Sequence, residues 1–240
     1  MNGFETDGGA ASTVNTSTSP MPSAKAPPAI QIESLGLGEV SADIMAELNQ
    51  VYSQAYYNSH MYDYFQADIS QRPALFRLFL ARQSDQSRAV VGARVIELKP
   101  HPFVQYIGFA PVHGKRFSIA PSFRGRGIGK LLIAESTRYA FEELALKVIF
   151  GESNEIGALA MHGREGALYL LASIHACSPR NSPGENVAFF REFLADPKFR
   201  SYRFPAGDGI QFVYCADVET AAVFRAHGYI SKDELLSRSP

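Results

Sequence analysis

Residues 117–130 constrain this chain more than any other stretch. They read Phe117-Ser118-Ile119-Ala120-Pro121-Ser122-Phe123-Arg124-Gly125-Arg126-Gly127-Ile128-Gly129-Lys130. A strand over 115–120 runs into a glycine-rich turn, and helical periodicity begins at Ile128. Glycine at 125, 127 and 129 lets the backbone approach a ligand closely and adopt angles that a Cβ disfavours. Because the turn opens a helix, its free N–H groups and the helix dipole face an anion. Arg124, Arg126 and Lys130 add positive charge at the same place. The combination reads as a pyrophosphate site.

Two other phosphate motifs fail on this sequence. A Walker loop needs a glycine five residues before the Gly-Lys pair and a Ser or Thr after the lysine, where Arg124 and Leu131 stand. The dinucleotide fingerprint needs glycine at the position of Lys130, and the acidic residue expected about 20 residues on has no strand end to sit at. The formal net charge of -1 lacks the basic footprint of a nucleic-acid binder. The two cysteines, Cys177 and Cys215, stand far apart, which supports neither a disulfide framework nor a metal site. No apolar run approaches the ~20 residues needed to cross a bilayer, and no secretory signal pattern opens the chain, so a cytoplasmic protein without membrane contact is expected.

Residues 1–28 are poor in large apolar side chains and are expected to be a disordered tail, with a single domain over 29–240. Helices are expected over 41–54, from Ile44, Leu48 and Val51, and over 72–82, from Leu75, Phe76, Phe79 and Leu80. Between them lies an aromatic segment with Tyr52, Tyr56, Tyr57, Tyr62, Tyr64 and Phe65, which suits helix packing or a substrate pocket. Strands are expected over 89–98, 103–110 (weaker), 147–151 and 210–215. The helix from Ile128 is expected to run to about Leu146, with Ile128, Leu131, Leu132 and Tyr139 on its apolar stripe and Glu135, Arg138 and Glu142 facing water. Further helices are expected over 167–176, 186–195 and 217–227, the last stopped by Gly228 before a short strand.

With Arg124, Gly127 and Gly129 in place after Ile119-Ala120-Pro121, residues 89–154 resemble the GNAT superfamily of N-acyltransferases. The resemblance implies a mixed α/β (α+β) fold, a splayed central sheet flanked by helices, here with an enlarged or remodelled C-terminal half. It implies acetyl-CoA or a longer acyl-CoA as cosubstrate, with Phe117 and Ile119 holding the pantetheine and Arg124, Gly125, Arg126, Gly127, Ile128, Gly129 and Lys130 the pyrophosphate. The family's second landmark begins at Asn154 but is not continued there. Asp217, Thr220, Val223-Phe224 and Gly228-Tyr229 hold its spacing instead, so 153–209 is either an insertion or a remodelled half. Phe224 then occupies the place of a tyrosine used as acid toward the departing thiolate; Tyr169, Tyr214 and Tyr229 are the substitutes, with Tyr229 the candidate carried forward.

The chemistry implied is direct transfer of an acyl group to a primary amine of a small molecule or amino acid. No Gly-x-Ser-x-Gly elbow or activated cysteine suggests a covalent intermediate. Glu97, Glu152 and His113 are the base candidates, with a water relay equally open. Two alternatives stand beside this reading. One is a long-chain N-acyl amino acid synthase, fed by CoA or by an acyl carrier protein, with 153–209 building the acyl pocket. The other is a catalytically silent module that binds acyl-CoA. A homodimer is left open, and the sequence does not name the amine.

Overall fold

The structure is a computed structural model that describes residues 29–56, 76–98, 108–178, 180–204 and 209–237. The expected tail, most of the aromatic segment and most of the weaker strand over 103–110 lie outside these residues. Strands β1 (Ile30–Gly36), β2 (Phe76–Gln83), β3 (Val90–Glu97), β4 (Pro111–Ile119), β5 (Val148–Ser153), β6 (Leu168–Leu170), β7 (Ile210–Cys215) and β8 (Tyr229–Ser231) form one mixed sheet. Its order is β1-β2-β3-β4-β5-β7-β6-β8. Every pairing is antiparallel except β4 with β5.

Helix α1 (Ala42–Tyr56) covers one face, burying Leu48, Val51 and Tyr52 against Leu78, Leu80, Ala93 and Val95. On the other face α2 (Ile128–Arg138) buries Ile128, Leu132 and Ile133 against Phe79, Ala81 and Val91. Each such aliphatic side chain contributes roughly 1.5–3 kcal/mol on leaving water. Gly92 permits that contact, since a Cβ there would already lie 3.4 Å from both Ile128 and Leu132. Helices α3 (Ile156–Arg164), α4 (Pro183–Ala195), α5 (Val218–Ala226) and α6 (Lys232–Ser237) follow β5 among the described residues. Ser182 and Glu185 start α4 with a capping box, and the Asp217 side chain caps α5. Among the described residues no helix is long and apolar enough to cross a membrane.

Three expectations about elements fail. The stretch expected as a helix over 72–82 is, from Phe76 onward, the strand β2. Its apolar run satisfies a helical period, but in the sheet Leu78 and Leu80 face α1 while Phe79 and Ala81 face α2. A strand buried on both faces leaves no alternation to read. Residues 167–176 likewise form β6 and a 3-10 segment, Leu171–Cys177, rather than a helix, because β6 is held between β7 and β8. Finally, α2 ends at Arg138 and continues only as a π turn, Tyr139–Glu143, and Leu131 on it is exposed rather than in the apolar stripe.

Residues 153–209 join the same sheet through β6. Their aromatic rings pack on one another: Phe193 stacks on Phe199 at 3.9 Å, and Phe189, Phe190 and Tyr202 surround Phe204. Of these rings, Phe190, Phe193 and Phe204 are buried in the main core.

Candidate active site

The site begins where two neighbouring strands part. β4 pairs with β5 only at Pro111–Val148, Val112–Ile149 and His113–Phe150. Beyond that point β4 stays with β3 and β5 stays with β7. A bulge accompanies the parting: Val95 lies opposite Lys115 and Ala93 opposite Ser118, so Arg116 and Phe117 together face the single residue Arg94. Arg116 takes φ 53°, a left-handed value that costs a non-glycine residue about 1–3 kcal/mol. The Tyr52 hydroxyl on α1 donates to the Arg116 carbonyl at 2.5 Å and holds the bulge.

At the open end of the split, β4 passes through a 3-10 turn, Pro121–Phe123, into Arg124–Gly127 and α2. Gly125 and Gly127 adopt φ 78° and 79°, and open space lies where their Cβ atoms would stand. No side chain caps the start of α2, so its first N–H groups are available to an anion. Arg124 is steered by its Nε donating to the Ile119 carbonyl (3.2 Å), and Arg126 lies 5.0 Å above the Phe123 ring. Lys130 is exposed beside them, whereas Gly129 is buried where a Cβ would collide with Met161 Sδ. The half-buried side chains of Phe117 and Ile119 lie against that same glycine. A cradle of left-handed glycines, free amides and three cations fits a pyrophosphate, and the gap between β4 and β5 continues it inward.

The register puts Glu97 opposite His113, His113 beside Phe150 and Val95 opposite Lys115. Since alternate residues share a face, Glu97, His113, Lys115, Phe150 and Glu152 all lie on the α1 side at the vertex of the split. Glu97 is 1% exposed and forms an ion pair with Lys115 Nζ at 2.7 Å. His113 stacks on Phe150 at 4.5 Å. Glu152 is exposed, one step further along β5 and opposite Gln211. The three base candidates therefore share one face of the sheet, Glu97 and His113 as direct neighbours and Glu152 just past the parting. Tyr229 does not join them. It packs edge-on against Phe224 (5.1 Å) in a cluster with Val148, at the far end of β5, and burial pushes its hydroxyl up to about 12.

On the opposite face lies a polar cluster of which sequence reasoning named only Tyr214. Arg94 Nη1 donates to Ser136 Oγ (2.7 Å), and its guanidinium lies 5.7 Å from the Tyr214 ring. Tyr214 shares a 2.7 Å hydrogen bond with His162 Nδ1. His162 in turn stacks on Phe212 at 4.1 Å and meets Phe117 edge-on at 5.7 Å. Burial, and then the charge of Arg94, hold His162 well below its ordinary pKa, while burial raises that of Tyr214. Tyr169 donates to the Leu159 carbonyl (2.6 Å) within the core. The available signal was an arginine in the middle of the apolar run 90–96.

The sequence profile of the acetyltransferase (GNAT) family matches residues 42–166, and the chain belongs to that family. No curated protein matches. Among solved structures, PH1933 from Pyrococcus horikoshii OT3 is similar over 78% of this chain and 100% of its own, with 16% identity and a TM-score of 0.50. The GNAT family N-acetyltransferase YhbS from Escherichia coli, solved in complex with CoA, is similar over 83% of this chain and 87% of its own, with 12% identity and a TM-score of 0.51. At these identities the likeness is one of fold, and the fold is the splayed mixed sheet described above.

Proposed function

We propose that this protein transfers an acyl group, most simply acetyl, from coenzyme A to a primary amine of a small molecule or amino acid. The observation that carries the reading is the parting of β4 from β5 between the cradle at 124–130 and the cluster at Glu97, His113 and Glu152. The CoA complex of YhbS, a protein of the same fold, supports acyl-CoA as the cosubstrate.

Each part of the site has a physical task. The turn amides and Arg124, Arg126 and Lys130 bind the pyrophosphate, and the main chain at Phe117 and Ile119 orients the pantetheine. Main-chain N–H groups of β4 near the vertex polarise the thioester carbonyl. Glu97 with His113, or Glu152 at the mouth, takes the proton from the acceptor ammonium so that the amine can attack. The acceptor arrives on the α1 face, where Glu97 already binds one cation, Lys115. Transfer is direct: burial pushes the thiols of Cys177 and Cys215 up to about 12, so neither supplies a thiolate nucleophile.

The test is calorimetric titration with CoA, followed by thiol release from acetyl-CoA across a panel of amines. Micromolar CoA binding and amine-dependent thiol release are expected. A folded protein that binds no CoA overturns the reading, and tight binding without turnover on any amine turns it into a binding module.

A further inference from the structure

An arginine buried without a counterion gives up its hydration and regains little, so the fold needs a reason to keep it. Arg94 is 1% exposed, and no carboxylate contacts it among the described residues. Its Nη1 is satisfied by Ser136, but Nη2 has no hydrogen-bond partner among the described residues. That nitrogen lies directly beneath Gly114. A Cβ on Gly114 would stand 2.7 Å from Nη2 and 3.3 Å from Ile149 Cγ2. Gly114 on β4 and Ile149 on β5 flank the last pairing before the strands part, so the unsatisfied donor sits under the vertex of the split.

The cradle lies at the other end of the same stretch of β4, from Ile119 back to Gly114. A ligand anchored there by its pyrophosphate and running inward along β4 brings its far end to the vertex, on the other side of Gly114 from Nη2. On the acyl-CoA reading, which this inference rests on, that end carries the sulfur. We propose that Arg94 is a positioning residue whose buried charge, acting across the strand at Gly114, stabilises the sulfur of coenzyme A as its thiolate. The acceptor nitrogen forms the C–N bond and yields its proton to the base on the α1 face. The C–S bond breaks, its electron pair leaves on sulfur, and the guanidinium beneath Gly114 stabilises the thiolate across the strand until water protonates it on release. Tyr214 braces the guanidinium from one side, and His162, kept neutral by burial, adds no rival charge. No tyrosine need stand where Phe224 does.

The experiment compares full-length wild type with Arg94→Met, following the thiolate absorbance of bound CoA against pH. In the wild type the bound thiol titrates about 1–3 pH units below free CoA, the effect of an opposite charge at close range. In Arg94→Met it returns to the free value while CoA still binds through the cradle. Arg94→Lys retains part of the lowering. Without CoA, Arg94→Met unfolds at a temperature no lower than wild type, because it removes an uncompensated buried charge. Should Arg94→Met fail to fold, Gly114→Ala displaces Nη2 and is expected to shrink the lowering. A wild-type thiol that titrates like free CoA, or a lowering that survives Arg94→Met or Gly114→Ala, overturns the proposal. So does an Arg94→Met variant that leaves the thiol unchanged but loses a preference for succinyl-CoA over acetyl-CoA, which assigns the cation to an acyl carboxylate. A wild type that binds no CoA overturns the acyl-CoA reading itself, a result distinct from CoA bound with an unperturbed thiol.

Discussion

The Tyr52 hydroxyl and the Arg116 carbonyl meet at 2.5 Å, tying α1 to the bulge at which β4 leaves β5. Arg116 is held at φ 53° by its surroundings, and this bond is one of the restraints. Tyr52→Phe removes the hydroxyl and keeps the ring in its core, at an expected cost of about 1 kcal/mol in urea unfolding. Affinity for CoA should fall several-fold as well, since a relaxed bulge lets β4 drift back toward β5. Titration calorimetry reads that second effect, and a loss of stability with unchanged CoA affinity argues that the bulge holds without Tyr52.

The cradle is tested by Gly127→Asp. Open space surrounds the position, so the cost to the fold is limited to the strain of an aspartate at φ 79°, about 1 kcal/mol or slightly more. The effect on CoA should be far larger, because a carboxylate then faces the pyrophosphate at the start of α2. A loss of at least 100-fold in CoA affinity is expected from a variant with native circular dichroism. Unchanged affinity removes the cradle from the CoA site.

The turn at 124–130 was legible because glycine, arginine and helix start are all local signals. Strands β3, β5 and β7 were legible from their β-branched runs, and α1 and α4 from their period. What sequence did not disclose were relations across the sheet. β2 read as a helix because an apolar run buried on both faces carries no alternation. β1 went unrecognised as a strand because its place depends on β2. Glu97, His113 and Glu152 were chosen singly for their chemistry, and only the register shows that they share a face. Tyr229 stands close in sequence to Phe224, and the short β8 holds it at the far end of β5, away from the vertex. Arg94 interrupts an apolar strand, and nothing local in the sequence shows that it is buried.

Stability should depend on pH through His162. Its folded pKa lies well below the ordinary value, whereas the unfolded chain titrates near ~6.5. The unfolded state therefore binds more protons below that point, and stability, complete above about pH 6.5, is lost as the pH falls. The slope approaches ~1.4 kcal/mol per pH unit for one proton. Urea unfolding between pH 7.5 and 5 should show this decline, and His162→Gln should flatten it. A wild-type curve level across that interval contradicts a neutral buried imidazole.

The base is separable from the ion pair that holds it. Glu97→Gln alone leaves Lys115 without its carboxylate in a setting where the lysine is only 13% exposed, at a cost of about 3 kcal/mol. A dead Glu97→Gln variant would therefore say little, since a damaged fold accounts for it equally well. Glu97→Gln with Lys115→Met removes both charges and should return stability to within ~1 kcal/mol of wild type. If Glu97 is the base, kcat in this double variant stays at least 100-fold down, with CoA affinity intact. If instead kcat recovers with stability, the proton leaves through His113 or Glu152. His113→Gln and Glu152→Gln then divide the two, because His113 is stacked on Phe150 inside the cleft and Glu152 is exposed at its mouth.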